Sequence, residues 1–294
     1  MMFRLSIGIM AYNEEAIIGR LLQAILKQNL INGRVEEIIV VASGCTDKTE
    51  DIVINFIQQD SRIKLLTQLQ REGKASAINL FLANASAEIL ILASGDIIPE
   101  EGTLEKLVAP FSHKSIGMTG AHPVPINSQN TFVGFAVHLL WSLHHMIALR
   151  EPKLGEMVAF RKIFSRIPSD TAVDEASIEA LVKQAGYKLS YASDAIVINK
   201  GPENITDFIK QRRRIAAGHL HLLHDQKHQV STSSPLKILS ILLREHSWSI
   251  RGTVWTCGAV LLEIIGRMLG YYDFYIKKKN PVIWDIANST KRWG

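Results

Sequence analysis

Short apolar segments alternate with amphipathic segments over the first third of this 294-residue sequence, and this alternation restricts the fold strongly. Buried strands are predicted at residues 5–10, 37–41, 63–66 and 89–92. Helices are predicted between them, at residues 16–27, 47–59 and 74–84. Nearly continuous apolar strands separated by helices predict an α/β fold, in which helices cover both faces of a mostly parallel sheet. Such sheets bind ligands at the carboxyl ends of their strands.

The composition supports one large folded core and excludes a disordered chain. Hydrophobic residues make up 47% and charged residues 21% of the sequence. The net charge of +5 fits anionic partners such as nucleotide phosphates, membrane headgroups or nucleic acid, and equally a basic surface without a dedicated partner. Cys45 and Cys257 lie far apart, which suits a reducing compartment, and we identify no secretory signal at the start.

Polar loops rich in small residues follow three of the predicted strands, at residues 11–15, 42–49 and 93–99. Each loop suits a phosphate or a metal ion. Ordinary turns and helix capping, by Asn13 and Thr46 for instance, explain any single loop equally well. Because all three loops are expected at the same edge of the sheet, we predict a ligand site there.

The middle of the chain has no Asp, Glu, Lys or Arg between residues 115 and 149. Within it, residues 132–149 predict a helix with His138, Trp141 and His145 on one face. A metal site is one interpretation of that face, and a core or interfacial helix with satisfied histidines is the favoured one. Further along, strands are predicted at 155–161, 187–191 and 195–198, and helices at 173–184 and 205–224.

The last part of the chain has a different character. Residues 235–248 predict an amphipathic helix, and residues 252–276 are strongly apolar but contain acidic and basic side chains. Those charges argue against a clean transmembrane span, which needs about 20 nearly uncharged residues. Apolar helices next to aromatic residues and Lys277–Lys279 favour a membrane surface, with packing onto the protein itself or a second subunit as the alternative. We predict a catalytic domain at residues 1–230 and a membrane-associating helical tail at 231–294.

Motifs in the first half of the chain resemble those of the family 2 inverting glycosyltransferases, which have the GT-A fold. Residues 9–15 resemble the first strand and Tyr-Asn-Glu turn of that family. Residues 40–49 resemble the turn after its second strand, and Gly73–Asn79 matches its Gly-Lys-x-x-Ala-x-Asn helix start. Ser94–Asp96 stands where the Asp-x-Asp motif belongs.

The resemblance continues to about residue 218. Asp174 and Glu175 stand where an acidic pair supplies the catalytic base, and Gln211–Arg214 resembles the Gln-x-x-Arg-Trp motif. Each motif alone is weak. Their common order and plausible spacing make the resemblance specific, and it implies a GT-A-type, Rossmann-like sheet followed by the apolar and amphipathic tail.

The resemblance also implies roles for individual residues. A nucleotide diphosphate sugar, a UDP-sugar by default, would be bound by residues of the loops and of the basic helix: Ala11, Tyr12, Asn13, Glu14, Ser43, Lys74, Ser94, Gly95, Gln211, Arg213 and Arg214. Guanidinium groups pair bidentately with phosphate oxygens, so Arg213 and Arg214 would clamp the pyrophosphate. A solvated basic face is the alternative explanation of that run.

The resemblance further implies a metal ion and a base. Mg²⁺ or Mn²⁺ prefers oxygen ligands, so Asp96 is the predicted ligand, with His219 as a further candidate. Glu175 is the predicted base that takes the proton of the acceptor hydroxyl, and its neighbour Asp174 is able to exchange roles with it. Stabilisation of helix N-terminal acids by the helix dipole is the alternative for this pair.

The sequence departs from the family pattern at several positions. Ala42 and Ser43 stand where family members carry an aspartate that accepts the uracil N–H, which leaves the nucleotide base open. Ser94 replaces the first aspartate of the Asp-x-Asp motif, so a single metal carboxylate remains, and Ile215 replaces the tryptophan of the last motif.

The sequence therefore predicts a glycosyltransferase at the cytoplasmic face of the cell membrane, peripheral or monotopic. Its acceptor is expected to be lipid-linked or a polysaccharide, and no nucleic acid partner is expected. A catalytically silent homologue that binds nucleotide sugars is the alternative, supported by Ser43 and Ser94. A nucleotidyltransferase ranks last, because the loop at residues 12–15 is acidic and poor in glycine.

Overall fold

A computed structural model describes residues 2–228, 238, 241–242, 249–283, 287–291 and 293. Nearly all of the predicted amphipathic segment at residues 235–248 lies outside these described residues, so that prediction is not tested.

The first half of the chain forms a parallel sheet. Its strands are β1 (Phe3–Ala11), β2 (Gly33–Ser43), β3 (Ile63–Gln68) and β4 (Ile89–Ser94), in the order β3-β2-β1-β4. Met10 near the end of β1 lies opposite Val41 in β2 and Ser94 in β4. The three predicted polar loops therefore leave the sheet at the same edge, as their sequence positions indicated.

The second half extends this sheet with strands of mixed direction. These strands are β5 (Ile98–Pro99), β6 (Ile116–Pro125), β7 (Met157–Arg161) and β8 (Lys188–Asn199). The order continues from β4 as β7-β6-β8-β5, with β7 antiparallel to both β4 and β6 and β8 parallel to β6. The result is the predicted α/β fold with a mixed, mostly parallel sheet, which is confirmed.

Helices cover both faces of the sheet, as predicted. The helices are α1 (Ile18–Leu26), α2 (Thr49–Ile57), α3 (Lys74–Asn84), α4 (Thr103–Val108), α5 (Phe132–Ala148), α6 (Asp174–Gln184), α7 (Ile205–Gln226) and α8 (Ile250–Tyr275), with short 3₁₀ turns at Ala109–Ser112 and Asn288–Lys291. One apolar core joins α1, α2 and α4 to the sheet, and a second joins α3 and α6 to its opposite face. A third, smaller core joins α5, α7 and α8.

Helix α8 packs on α7 with one side and exposes apolar residues on another. Gly270 allows the close approach, because a Cβ atom there would lie 2.6 Å from Ala216 Cβ. Large apolar side chains recur every seven residues on the exposed side: Val254, Leu261, Met268 and Tyr275, with 63%, 58%, 66% and 61% of their surface exposed. Among the described helices, α8 alone is long and apolar enough to cross a membrane, by length and composition only.

The end of the chain returns to the sheet domain. Ser289 Oγ donates a hydrogen bond to Asp207 at 2.7 Å, and Asn280 Nδ2 donates one to the Asp170 carbonyl at 2.6 Å. The predicted division between residues 1–230 and 231–294 stays a prediction, and the described parts of the two segments are in contact.

Three strands differ from the sequence prediction, and one of them is the short strand β5, which lies inside the segment predicted as a polar loop. β6 was not predicted, because its glycine- and proline-containing sequence lacks the apolar run of a typical buried strand. β8 is one strand where two were predicted, and its pairing with β6 shifts register between Gly120 and His122. An irregularity of this kind interrupts the sequence pattern without ending the strand.

Candidate active site

A cleft of about 710 Å³ lies at the carboxyl ends of β1, β2 and β4. Helices α5, α6, α7 and α8 and the 3₁₀ turn at Asn288–Lys291 form its other walls. Most of the predicted site residues line it: Ala11, Tyr12, Glu14, Ser43, Lys74, Ser94, Gly95, Asp96, Asp174, Glu175, Gln211, Arg214 and His219. Asn13 and Arg213 are not among the residues that line it.

Asn13 joins two of the loops instead of facing the cleft. Its Oδ1 accepts a hydrogen bond from Thr46 N at 2.8 Å, and its Nδ2 donates one to Thr46 Oγ1 at 3.1 Å. Its backbone is left-handed (φ 51°), a conformation that asparagine tolerates better than most residues. Glu14 N donates to Thr49 Oγ1 at 2.7 Å in the same contact between loops. Asn13 thus sets the shape of the loop that presents Tyr12 and Glu14 to the cleft.

An aromatic ring and a guanidinium form one wall of the cleft. The Arg71 guanidinium lies over the Tyr12 ring, 4.4 Å from its centroid, which favours a cation–π contact. Ser43 is also in this wall, and its Oγ accepts a hydrogen bond from Glu72 N at 3.3 Å. Arg71 was not predicted as a site residue, since nothing in its local sequence distinguishes it from a surface arginine.

Carboxylates crowd together where β1, β4 and β7 meet. Burial raises the pKa of Glu14 to about 8, with a further rise from the charge of Asp96, while Lys291 opposes both effects. Burial also raises the pKa of Glu156 to about 7, with further contributions from Asp96 and Glu175. The charge of Asp96 therefore reaches carboxyl groups on two other elements of the cleft.

Sequence reasoning missed Glu156 as a site residue. It lies just before β7, has a left-handed backbone (φ 60°), and its carbonyl accepts a hydrogen bond from Ser94 N at 3.1 Å. A backbone of this kind is unusual for a residue other than glycine, and such residues cluster at functional sites. The available signal was a lone acidic residue at the start of an otherwise apolar strand.

The acidic pair lies in the first turn of α6 and is bound by a lysine from α3. Lys74 Nζ lies 2.6 Å from Glu175 Oε1 and 3.7 Å from Asp174 Oδ2. Burial raises the pKa of Asp174 to about 6, whereas Lys74 and its hydrogen bond hold the pKa of Glu175 below its ordinary value. Lys74 Nζ also lies 3.4 Å from Ser94 Oγ, so it connects the pair to the loop after β4.

The two neighbouring arginines of the basic helix point to different places. Arg214 lines the cleft, and the charges of Asp174 and Glu175 act on its guanidinium. Arg213 instead forms an ion pair with Asp273 of α8, with Nε and Nη2 both 2.5 Å from the carboxylate oxygens. Consecutive residues of an α-helix lie about 100° apart around its axis, which separates these two side chains. The placement of Arg213 gives no support to its predicted role as a pyrophosphate ligand.

The histidines are not placed as metal ligands. His219 lines the cleft among cations, and burial together with Lys153, Arg212 and Arg267 holds its pKa well below the ordinary value. A metal ion would be repelled there. His138 Nε2 lies 2.7 Å from the Asn127 carbonyl, a structural contact on the helix for which a metal site had been considered. Within the described ranges, no group of three or more His, Cys, Asp or Glu residues is arranged to hold a metal ion.

The surroundings of Asp96 nevertheless fit a divalent cation that is held mainly by a ligand's phosphates. Glu14 Oε2 is buried and has no hydrogen-bond partner among the described residues, and the charge of Asp96 acts on Glu14 and Glu156. Such an accumulation of negative charge favours a cation. Mg²⁺ is commonly bound by one or two carboxylates together with substrate phosphates, so one protein carboxylate suffices when a diphosphate is present.

Comparison with known proteins finds a family whose sequence pattern matches this chain. The family described as "Glycosyl transferase family 2" matches residues 6–162. A dolichyl-phosphate beta-glucosyltransferase of Trichomonas vaginalis is 25% identical over 208 residues, which are 63% of this chain and 63% of that relative. A glycosyltransferase of Streptococcus pneumoniae is 31% identical over 110 residues, 37% of this chain and 36% of the relative. The matches thus span about a third to two thirds of the length of these curated relatives.

Solved structures share the fold at low sequence identity. A mannosyltransferase from Pyrobaculum calidifontis, solved in complex with GDP-mannose and Mn²⁺, is 18% identical, with a TM-score of 0.67 over 93% of this chain and 88% of that one. Glucosyl-3-phosphoglycerate synthase from Mycobacterium tuberculosis, solved with Mn²⁺, UDP and glucosyl-3-phosphoglycerate, is 20% identical. Its TM-score is 0.53, over 78% of this chain and 82% of that one.

Proposed function

Because this chain belongs to glycosyltransferase family 2, we propose that it transfers a sugar from a nucleoside diphosphate sugar to an acceptor hydroxyl, with inversion at the anomeric carbon. The observation that carries the proposal is one cleft lined both by Asp96 and by the acidic pair Asp174–Glu175. In the transfer, the acceptor oxygen bonds to the anomeric carbon as the bond to the diphosphate breaks. Glu175 takes the acceptor's proton, and the nucleoside diphosphate leaves.

The nucleoside end of the donor lies against Tyr12, Arg71 and Ser43 in this proposal. The Tyr12 ring offers a stacking surface, and Arg71 above it offers a cation near the phosphates. The diphosphate extends past the loop at Ser94–Asp96 toward Arg214, whose guanidinium suits phosphate oxygens. UDP is kept only as the default nucleotide. The identity of the base stays open, because neither Ala42 nor Ser43 supplies the carboxylate expected for recognition of uracil.

Asp96 is the proposed protein ligand of Mg²⁺ or Mn²⁺, with donor phosphates supplying further oxygens. When bound, such an ion stabilises the negative charge that develops on the leaving diphosphate. Solved relatives of the same fold contain Mn²⁺ or Mg²⁺ together with nucleotide, which supports this assignment. Glu156 is a second candidate ligand from this chain, because the charge of Asp96 contributes to its raised pKa.

Glu175 is the proposed base, and Asp174 its positioning partner. The Glu175 side chain is 22% exposed and Asp174 only 3%, so an acceptor reaches Glu175 more easily. Lys74 keeps Glu175 ionised, and an ionised carboxylate is the form that accepts a proton. Asp174 Oδ1 is buried without a hydrogen-bond partner among the described residues, which leaves it available to a bound ligand.

A transfer assay tests this assignment. Release of nucleoside diphosphate from a panel of nucleotide sugars, with a membrane extract as acceptor, should require Mn²⁺ or Mg²⁺ and disappear in the double variant Asp174→Asn, Glu175→Gln. The matched control is the double variant Asp51→Asn, Glu101→Gln, which should keep its turnover, since both carboxylates are exposed and lie outside the lining of the cleft. Turnover retained in the double variant would contradict the assignment of the base. Nucleotide binding without turnover in the unaltered chain would favour the catalytically silent alternative.

We also propose that α8 places the cleft at a membrane surface, which supports a lipid-linked or membrane-associated acceptor. The exposed stripe of Val254, Leu261, Met268 and Tyr275 is followed by Lys277–Lys279, all exposed. Apolar side chains enter the interface of a bilayer while lysines meet anionic headgroups. The cytoplasmic face remains part of this proposal, since nucleotide sugars and reduced cysteines suit that compartment.

Vesicle flotation tests the membrane surface. Vesicles with about a third of anionic phosphatidylglycerol should carry the full chain to the top of a density gradient. The double variant Leu261→Ser, Met268→Ser should float poorly. The control Ile31→Ser, Leu69→Ser removes two apolar side chains outside α8 that are even more exposed, 81% and 96%. It should float like the unaltered chain, because it leaves the stripe on α8 intact. Equal flotation of both variants would rule out the stripe as the membrane-binding face.

A further inference from the structure

The cleft continues beyond the acidic pair between two apolar helices. Val137, Leu140, Trp141 and Ile147 of α5 line this part together with Ala259, Val260 and Ile264 of α8. A nucleoside diphosphate sugar has polar groups along its whole length and no aliphatic chain, so it has no part that would fill this apolar space. The wall is instead suited to an apolar chain of the acceptor.

Cationic side chains lie in the same part of the cleft. Arg212 of α7 donates from Nε to Glu263 Oε2 at 2.5 Å and from Nη2 to Glu263 Oε1 at 2.9 Å. Arg267 of α8 donates from Nε to the same Glu263 Oε1 at 2.7 Å. One carboxylate is therefore shared by two guanidinium groups. Lys153, from the segment before β7, lines this part as well. We call Lys153, Arg212 and Arg267 the inner cationic cluster.

The inner cationic cluster is crowded with positive charge. Burial and the charges of Arg212 and Arg267 lower the pKa of Lys153 to about 8, although Glu179 and Glu263 act in the opposite direction. Cations gathered at a cleft wall with this much mutual repulsion favour an anionic ligand. The cluster is also electrostatically close to the acidic pair, because the charges of Arg212, Asp174 and Glu175 all act on Arg214.

We propose that the inner cationic cluster binds the phosphate of an amphiphilic acceptor, whose apolar chain lies between α5 and α8. The acceptor is then a lipid-linked sugar that has a phosphate between its lipid and its sugar. The phosphate holds the molecule, and the sugar hydroxyl points toward Glu175. This inference rests on the proposed glycosyl transfer for the acceptor's role, whereas the anion site itself is tested by binding alone.

Calorimetry with small probes tests the site in the whole 294-residue chain. Octyl phosphate should bind at least tenfold more tightly than octyl glucoside, which has the same chain without the phosphate. It should also bind at least tenfold more tightly than inorganic phosphate, which lacks the chain. Equal binding of octyl glucoside, or equal binding of inorganic phosphate, overturns the amphiphilic phosphate as the ligand.

Variants of Lys153 locate the site. Lys153→Met keeps the length of the side chain and removes its charge, and it should weaken octyl phosphate binding at least tenfold. Lys153→Arg restores the charge and should restore binding. Lys188→Met removes the charge of an exposed lysine at the start of β8 and should change nothing. Unchanged octyl phosphate binding in Lys153→Met overturns the inference. Thermal unfolding of each variant verifies that it is folded.

The two proposals fail in distinguishable ways. Binding of UDP or GDP with Mn²⁺ should be the same in Lys153→Met as in the unaltered chain. If the unaltered chain binds octyl phosphate through Lys153 but binds neither UDP nor GDP, the glycosyltransferase proposal is contradicted and the anion site is supported. If the chain binds nucleotide and transfers sugar, but octyl phosphate binding does not depend on Lys153, the anion site is contradicted and the glycosyltransferase proposal is supported.

Discussion

Opposite ends of the same strands hold buried carboxylates in contrasting electrostatic surroundings. Near the amino-terminal ends, Glu37 of β2 accepts hydrogen bonds from Ser6 Oγ at 2.7 Å and from Ser86 N and Oγ at 2.7 and 2.8 Å. Lys64 Nζ lies 2.7 Å from its other oxygen. Although burial opposes ionisation, these partners lower the pKa of Glu37 to about 2. Its charge is compensated within the protein.

At the carboxyl ends the compensation is less complete. Glu14 and Glu156 have raised pKa values, about 8 and about 7, because burial and the nearby charge of Asp96 both oppose their ionisation. Glu14 Oε2 and Asp174 Oδ1 are buried without hydrogen-bond partners among the described residues. The contrast teaches that a buried carboxylate alone is no sign of function. A carboxylate whose charge raises the pKa of neighbouring buried carboxyl groups, as Asp96 does for Glu14 and Glu156, does indicate a site for a cation or a substrate.

The largest expected effect comes from removing the charge of Asp96. Asp96→Asn should lower kcat/KM for sugar transfer by about 100-fold or more, roughly 3 kcal/mol, because the proposed metal ion loses its protein carboxylate. Its stability should change little, since the substitution also relieves repulsion with Glu14 and Glu156. Steady-state kinetics and urea unfolding measure the two effects. Full activity with a large loss of stability would show that Asp96, like Glu37, stabilises the fold and does not act in the transfer.

Glu37→Gln should show the opposite pattern. The substitution removes the ionised acceptor of several hydrogen bonds and should lower the free energy of unfolding by about 2 kcal/mol. Transfer activity at a temperature where the variant is folded should stay within about twofold of the unaltered chain, because Glu37 lies at the far end of the strands from the cleft. Urea unfolding gives the first value and the transfer assay the second. A large loss of kcat in the folded variant would contradict the view that only the carboxylates at the carboxyl ends of the strands act in the transfer.

The pH dependence of stability should separate Glu37 from the carboxylates of the cleft. The folded pKa of Glu37, about 2, lies below its ordinary value of 4.5. Its contribution is therefore fully present above pH 4.5 and is lost as the pH falls toward 2. The difference in unfolding free energy between the unaltered chain and Glu37→Gln should shrink by about 1 kcal/mol between pH 4.5 and pH 3.5. A difference that does not depend on pH would show that Glu37 is not ionised by these contacts.

Glu14 should show an effect of similar size with the opposite sign. Its folded pKa, about 8, lies above the ordinary value of 4.5, so the folded chain binds the proton more tightly. Stability then falls as the pH rises from 4.5 toward 8. Relative to Glu14→Gln, the unaltered chain should lose on the order of 1 kcal/mol between pH 7 and pH 8 in the presence of a chelator. Parallel stability curves for the two proteins would contradict a neutral, buried Glu14.

Sequence patterns predicted the strands and helices whose own residues show a strong hydrophobic pattern. The apolar runs of β1, β2 and β4 and the helix α3 were placed correctly, because buried parallel strands and amphipathic helices leave strong periodic signals. The family resemblance was confirmed by the match over residues 6–162. β6 was not predicted, because its own residues lack a strong apolar run and its pairing partners, β7 and β8, are distant in sequence.

The site was predicted less completely, since its electrostatics depend on distant contacts. No local pattern shows that Lys291, near the end of the chain, donates a hydrogen bond to Glu14 near its start. Lys74 was predicted to bind the donor, and its pairing with Glu175 follows only from the packing of α3 beside α6. Arg213 and Arg214 are equivalent in sequence and differ only in which neighbour faces them.

Metal-dependent nucleotide binding tests the central claim most directly. Isothermal titration calorimetry of UDP and GDP should detect binding to the unaltered chain with Mn²⁺, at least tenfold weaker binding with a chelator, and no effect of Mn²⁺ in Asp96→Asn. Mn²⁺-enhanced binding that persists unchanged in Asp96→Asn, or nucleotide binding that does not respond to Mn²⁺ at all, would contradict the account.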